Sequence, residues 1–482
     1  MYQNSLSYRG IKKDYILVTS RKRSYWAPVR RNLIFIPGRA GALLNDSTTE
    51  VRIEEVTIEI SADDPSNYLN LTEDLAAWLI TENVEELIFD DEQNRTYYAV
   101  VDGGINNLQE IVTRGYGTLR FICPDSYKYG LEKKVTLIGE SVNVEGTAET
   151  EPIITCKVKQ DTTFVAVSNG TDLNIVGNYG LVDEIPFEPE TRILWDQMGA
   201  MTGWTSSSSV EQGTASGTMK TNGYEFYTDD YGTGDGWHGP PVKKSIGATL
   251  QDFKIDVLLS QIGISMGEGG SDYSGGLGSV EIALLDANNQ FVAKLLLTKR
   301  YAHSKAIYAT LRAGRYDNGH DIINERGDAE WVWANFDGIL RLSRKRARWE
   351  AYVAKIDENG KHHSTRLRSW DDTEGIATAP VTQVQVQLWA HGSTRITSQS
   401  VKDIKIFRLN QQAQGIPFIA RAGDIVEFNN QNDIIRRNGE DITKEKMFIG
   451  NYFALKPGQN VLAAEPADAI EEITVKYHPK FL

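Results

Sequence analysis

One pattern constrains this chain more than any other. Short runs with apolar residues at every second position recur from end to end between Gly, Asn and Pro turns, and a helical apolar repeat stands out once. Period-two alternation puts one set of side chains on each face of a strand, so it predicts half-buried sheet. Val280–Leu285, Phe291–Thr298, Trp349–Ile356, Val381–Leu388 and Val401–Leu409 all read this way, and Asn169-Gly170, Asn288-Asn289 and Asn359-Gly360 supply hairpin turns. The exception is Leu71–Ile80, where Leu71, Leu75, Trp78 and Leu79 form one apolar stripe and Asn70 with Glu73 fits a capping box. That stripe reads as a helix packed on its own sheet, or else as a subunit contact. The expected class is mainly β.

The texture of the 482 residues changes along the chain. Residues 1–130 hold strands around Leu33–Ile36, Val51–Ile60, Glu86–Phe89, Thr96–Val101 and Gly117–Cys123, together with the helix. The alternation breaks once between Glu54 and Glu55, which suits a β-bulge. From 131 to 188 the strands are shorter and closer. Residues 189–409 hold eight of the ten Trp, with Ser and Gly clusters at Ser206–Ser209 and Gly267–Gly278. After Leu409 the short strands return. The economical account is one small sandwich, 131–188 plus 410–482, split by an inserted jelly-roll or β-sandwich module at 189–409. Insertions are tolerated at exposed loop tips whose ends lie close together.

Composition narrows the function. There are 51 Lys and Arg against 65 Asp and Glu, a net charge of −14. Sequence-independent nucleic-acid binding needs the opposite balance. No stretch approaches the ~18 consecutive apolar residues of a membrane span. Met1–Tyr15 lacks an apolar h-region, so no secretory signal peptide is expected. Cys123 and Cys156 are too few for a metal motif and read as buried thiols of a protein made in a reducing cytoplasm. No G-x-S-x-G, H-E-x-x-H or P-loop occurs. Glycoside hydrolysis needs two carboxylates flanking the bond, and neither Glu281–Asp286 nor Glu350–Asp357 offers a suitable run. The chain therefore reads as a non-enzyme without a cofactor. His362-His363, just past an Asn-Gly turn, is expected to be exposed.

Several phrases together resemble the distal tail (Dit) proteins of long, flexible-tailed phages infecting Gram-positive bacteria. They are Pro37-Gly38-Arg39-Ala40-Gly41, Tyr97-Tyr98-Ala99-Val100 and Phe121 to Tyr129, then Asn143 and Gly146 to Pro152. Beyond the insertion come Arg421-Ala422-Gly423-Asp424, Asp433 to Asp441 and Phe453 to Asn460. The resemblance implies a β-rich belt domain (1–130) closing a homohexameric ring, and a galectin-like β-sandwich (131–188 plus 410–482). The ring would join tail tube protein to the tail-tip proteins of the virion, with genomic DNA only passing through its lumen. It further implies that the insertion (189–409) is a carbohydrate-binding-like module for host cell-wall polysaccharide or teichoic acid. Two alternatives stay open: an insert that only docks on other baseplate proteins, and a free lectin-like protein. The early basic residues Lys12, Lys13, Arg21, Lys22, Arg23, Arg30 and Arg31 read as a solvated face or as a positive rim.

Within the insert, aromatic faces and planar polar side chains are the groups that suit sugars. Gln383, Gln385, Gln387 and Trp389 share one face of a strand, while Val384, Val386 and Leu388 share the other. The valine set should face the core and the Gln/Trp set line a groove, or simply form a polar outer face. Tyr224 and Tyr227 precede a loop carrying Trp237 and His238, a candidate sugar-contacting rim or a structural turn that buries Trp237. Asp229, Asp230 and Asp235 are weak candidates for Ca²⁺. Arg344, Arg346 and Arg348 are weak candidates for a polyanion, or else a solvated strand end.

Overall fold

The computed structural model describes residues 5–111, 113–137, 141–180, 186–263, 276–411 and 415–482, so most of the Gly267–Gly278 cluster lies outside the described residues. Two compact units emerge: Met1–Gly177 with Ile419–Arg436 and Ile442–Leu482, and Asn178–Phe418 with Arg437–Asp441. No helix among the described residues is long and apolar enough to cross a membrane.

The first unit opens with an eight-stranded sheet in which Arg52–Ser61 and Arg114–Cys123 pair antiparallel over ten residues without a register shift. The expected bulge between Glu54 and Glu55 is therefore absent from this pairing. Alternation runs unbroken because Arg52 and Glu54 occupy the buried positions that Val56, Ile58 and Ile60 continue. The register shift falls instead in the other neighbour, Ile16–Lys22, between Val18 and Ser20. A buried charge is tolerated only when paired and hydrogen-bonded. Arg21 Nε donates to Glu54 Oε2 at 3.1 Å and Nη2 to the Tyr97 hydroxyl at 2.7 Å, while its guanidinium lies 3.6 Å from the Phe89 ring centroid. Arg52 donates to the carbonyls of Ser24 and Ser126. Burial pushes the Glu54 carboxyl up, and Arg21 opposes it.

The helix begins at Pro65 rather than Leu71 and runs to Leu79. Asp64, not Asn70, is its N-cap: the carboxylate accepts from the Asn67 N–H at 2.8 Å, and Pro65 presets the first turn. Tyr68, Leu75, Trp78 and Leu79 are buried in the core of this sheet, and Trp78 Nε1 donates to the Tyr8 carbonyl at 3.0 Å. The apolar stripe thus packs on the protein's own sheet. A separate ribbon, Val29–Ile34 paired with Leu43–Thr49, is exposed at every position. The early basic residues meet carboxylates: Lys12 with Asp90 at 2.6 Å, Lys13 with Asp74 at 2.7 Å, Lys22 with Glu55 at 3.2 Å, Arg30 with Glu50 at 2.8 Å, and Arg23 with Asp91. Opposite charges are interleaved there, so the run makes no field of one sign.

The rest of this unit is a sandwich assembled from both sides of the long intervening segment. Ile153–Val158 lies between Ile425–Asn429 and Ile470–Tyr477, antiparallel to both. Lys133–Thr136 adds to Ile470–Tyr477, and Ser141–Val144 pairs with Gly458–Val461. Phe164–Ser168 turns at Asn169-Gly170, where Gly170 has φ +86°, into Leu173–Gly177. Ile154, Cys156, Val165, Val426, Phe428 and Val475 share the core. Cys123 and Cys156 are free and buried, and burial pushes each thiol up to about 12.

The second unit is a two-sheet sandwich. One sheet runs from Thr218–Thr221 through Phe226–Asp230, Ser398–Leu409, Phe253–Ile262, Phe336–Lys345 and Arg348–Ile356 to His362–Asp371. The other runs from Thr205–Ser206 through Pro241–Leu250, Val381–His391, Gly278–Leu285, Phe291–Lys299 and Tyr308–Ala313 to His320–Glu325. Val280, Ile282, Leu295, Val384, Val386 and Leu388 meet Ile255, Val257, Leu340, Ile404 and Trp349 in one core. Glu190–Asp196 pairs antiparallel with Ser398–Leu409, so the first and last strands of this sandwich are neighbours. His362 is half-buried rather than exposed: its Nδ1 lies 3.0 Å from the Tyr352 hydroxyl, and burial lowers its pKa.

Replacing Arg21 by Ala removes the nearest cation from the buried Glu54 carboxylate and leaves Arg52 at 4.0 Å, so we expect Arg21→Ala to cost about 3 kcal/mol of unfolding free energy. Urea denaturation checks this, and a midpoint like that of the exposed Lys22→Ala would show that Arg21 does not hold Glu54.

Candidate functional site

The face of the second sheet that points away from the core carries rows of polar residues in cross-strand register. Gln387, Glu281, Leu296, Thr310 and Asn324 form one row across five strands. Gln385, Ala283, Lys294, Arg312 and Asp321 form the next. Trp389, Ser279, Thr298 and Tyr308 lie on the other side. Side chains on a strand alternate between faces, so these residues share a side while Val280, Ile282 and Leu295 go to the core. Over the rows lies a groove of about 690 Å³, walled by Trp237, His391, Arg300, Tyr316 and Gln212.

Its floor is fixed by ion pairs and hydrogen bonds. Lys294 is buried and lies 3.2 Å from Glu281 and 2.9 Å from Glu211. Burial alone would lower its pKa, but the two carboxylates outweigh that and hold it raised. Trp389 Nε1 donates to Glu281 Oε2 at 3.2 Å, and Arg312 Nε donates to Asp321 at 2.6 Å. Arg300 Nη2 donates to Thr310 Oγ1 at 2.9 Å and Asn324 Oδ1 at 3.1 Å. Trp237 meets His391 edge to face at 5.1 Å. The groove thus offers indole surface, fixed donors and fixed acceptors together.

The sequence candidates fall unevenly around it. Trp237 and Trp389 line the groove. Gln383, Gln385 and Gln387 lie on the expected face, but the expectation that they line a groove is corrected: they are covered by other parts of the chain. Gln385 Nε2 donates to the Ser209 carbonyl at 2.8 Å, Gln387 Nε2 to that of Gly239 at 3.3 Å, and Gln383 Nε2 to that of Asp286 at 2.8 Å. Trp389 is likewise covered on one side, where a Cβ on Gly213 would lie 2.5 Å from its Cζ3. His238 is buried with Nδ1 2.9 Å from the Gly236 carbonyl, so it is not a rim residue. Tyr224 is exposed and Tyr227 half-buried, and neither lines the groove.

Asp229 pairs with Lys220 at 2.8 Å, and Asp230 accepts from Thr218 and from the Gly232 N–H. Asp229, Asp230 and Asp235 do not converge, and no group of three potential metal ligands exists among the described residues. Arg344 is also corrected as a polyanion contact. It is 1% exposed, it donates to the carbonyls of Gln251, Ala377 and Ala379 at 2.7–2.8 Å, and burial pulls its pKa down to about 10. Arg346 sits in the hairpin turn with φ +57°, its N–H bonded to Asp252, and Arg348 is exposed beside Asp371 and Glu350. The charged residues the sequence reading missed are Lys294, Arg300, Arg312 and Asp321. The available signal was parity: 294, 296, 298 and 300 share a face opposite Leu295 and Leu297.

Two family models match the chain. Residues 9–123 match the phage tail protein RIFT-related domain, and residues 386–481 match the C-terminal domain of the siphovirus-type tail component. These matches define a phage tail protein. The matches place siphovirus tail domains at both ends of the chain, in keeping with its resemblance to the distal tail (Dit) proteins. Among solved structures it is similar to the Dit protein of phage SPP1, at 13% identity over 99% of each chain with a TM-score of 0.40. It is also similar to the CBM2 module of the evolved Dit of Lactobacillus casei BL23 phage J-1, at 13% identity over 47% of this chain and 98% of that one, TM-score 0.39. A third likeness is to a Bacillus licheniformis β-glucanase, at 8% identity over 45% and 98%, TM-score 0.28. These scores lie below 0.5, so they describe likeness and carry nothing further. No curated protein matches the chain.

Arg344→Ala leaves three backbone carbonyls without their donor, so a loss of about 3 kcal/mol in stability is expected, against less than about 0.5 for Arg348→Ala. Thermal or urea unfolding of the two variants decides it: equal, small effects would return Arg344 to the surface.

Proposed function

We propose that the chain forms a hexameric ring at the distal end of the phage tail, between tube and tip, and that its insert binds saccharide on the host surface during adsorption. In this reading residues 1–130 form the ring, 131–188 with 410–482 the galectin-like sandwich, and 189–409 the saccharide-binding module. Genomic DNA only passes through the lumen, and the protein acts by assembly and binding rather than catalysis. The observation that carries the binding half is the groove, where Trp237 and Trp389 bring indole rings to a floor of fixed polar groups. Aromatic faces stack on the apolar C–H patches of sugars, while planar polar groups pair with hydroxyls.

The ring half is supported by the ribbon Val29–Ile34/Leu43–Thr49. An isolated two-stranded ribbon is marginal in water. This one exposes Leu33, Ile34 and Leu44, with Phe35 beyond it at 73% exposure and Trp26 nearby at 67%. A second copy of the chain supplies the cover it needs. Six weak sites on one ring would then act together through avidity.

Light scattering should give the mass of six chains at micromolar concentration, and Phe35→Asp with Leu44→Asp should shift it toward one; a wild-type monomer would sink the ring. Trp237→Ala, on the groove wall, should weaken retention of the full chain on host cell-wall preparations about tenfold while the chain stays folded by its far-ultraviolet circular dichroism. Undiminished retention would remove the groove from the binding role and favour docking on baseplate proteins.

A further inference from the structure

Every charged side chain in the groove but one is balanced by a neighbour. Lys294 has Glu281 and Glu211, and Arg312 has Asp321. Among the described residues Arg300 meets only neutral oxygens: Thr310 Oγ1 and Asn324 Oδ1 both take its Nη2. Its guanidinium lies 4.6 Å from the Tyr308 ring centroid, which steadies the plane. Nε and Nη1 have no acceptor among the described residues. They lie on different edges of the guanidinium, and each can give one charge-assisted hydrogen bond to an oxyanion. The side chain is half-buried, so its charge is less screened than on an open surface.

Its place in the groove matters as much. Residues 294, 296, 298 and 300 share a face, and Gly278 pairs with both Lys299 and Ala390, which puts Arg300, Leu277 and His391 in one row at the groove's end. Trp237 pairs with His391 at that same end. An unbalanced cation therefore shares a row with the half-buried Trp237 indole, with His391 and Leu277 between them, while the ion pairs of Lys294 and Arg312 lie farther along the groove.

We infer that the groove selects an oligosaccharide bearing an anionic substituent, a phosphate or a carboxylate, which Arg300 receives while another sugar unit of the same chain lies against Trp237. This rests on the reading of the groove as a saccharide site and adds the charge of the ligand. It also moves the polyanion contact from Arg344, Arg346 and Arg348, outside the groove, to a residue within it.

The test uses the full-length protein and three immobilised probes: an uncharged β-glucan oligosaccharide, an oligogalacturonate, and a glycosylated poly(glycerol phosphate). Surface plasmon resonance should show tighter binding of one anionic probe than of the neutral one, and which anionic probe wins tells carboxylate from phosphate. Arg300→Gln should weaken that probe about ten- to a hundredfold and abolish its excess salt dependence, with Arg300→Lys intermediate because it keeps the charge but loses the hydrogen bonds to Thr310 and Asn324 that aim the guanidinium. Binding unchanged in Arg300→Gln, or a neutral probe bound as tightly as both anionic ones, overturns this inference. If Trp237→Ala then still weakens binding, the saccharide reading stands without it. If no probe is retained by the wild-type protein, both fall.

Discussion

Strand Ile153–Val158 carries the organisation of the chain. Its neighbours on both sides, Ile425–Asn429 and Ile470–Tyr477, lie beyond the whole inserted segment. Closing a flexible loop costs free energy that rises only with the logarithm of its length, so stretching a ten-residue connection to two hundred costs about 3 kcal/mol. The actual cost is smaller, because the intervening chain is not a flexible loop. Glu190–Asp196 pairs with Ser398–Leu409, with Glu190 opposite Leu409, so the guest returns the chain close to where it left. The pairing Pro186–Phe187 with Ile416–Pro417 extends the same closure outward. A guest whose first and last strands pair with each other makes the insertion thermodynamically cheap.

The groove follows from the same strand geometry. Each strand of the second sheet sends its apolar set to the core, and the opposite set lands in cross-strand rows whose spacing the hydrogen-bond ladder fixes. Polar groups held that way lose little freedom when a ligand arrives, which is the physical content of pre-organisation. The rows are also tied to one another. Glu281 pairs with Lys294 across neighbouring strands and accepts from Trp389, so moving one floor residue disturbs the others.

Alternation made most strands legible, and with them the face on which Gln383, Gln385, Gln387 and Trp389 lie. Their cover was not legible, because it comes from Ser209 and Gly239, far away in sequence. The helix stripe was readable from Leu75, Trp78 and Leu79, but its start was not. Asp64 with Pro65 caps it about two turns before the first stripe residue, Leu71, where no apolar repeat draws attention. Arg52 and Glu54 hid the true register of their strand, since a periodicity argument assigns charges to the solvent face. Arg344 failed for the same reason. It lies two residues from the buried Leu342 and so shares its face, and three backbone carbonyls take the place of water around its guanidinium.

The chemistry of the floor bears on what the groove can do. A glycosidase needs one carboxyl group to deliver a proton to the leaving oxygen and a second carboxylate across the bond. Glu281, the central acid of the floor, has its oxygens engaged by the Lys294 ammonium and the Trp389 indole N–H. Both partners are donors, so the carboxylate serves as an acceptor holding Trp389 and Lys294 in place. Asp321 is likewise engaged by Arg312 Nε and by the Asn324 amide. Carboxylates committed to donors within the protein hold the neighbouring indole and ammonium groups in place, and so fix the shape of the floor.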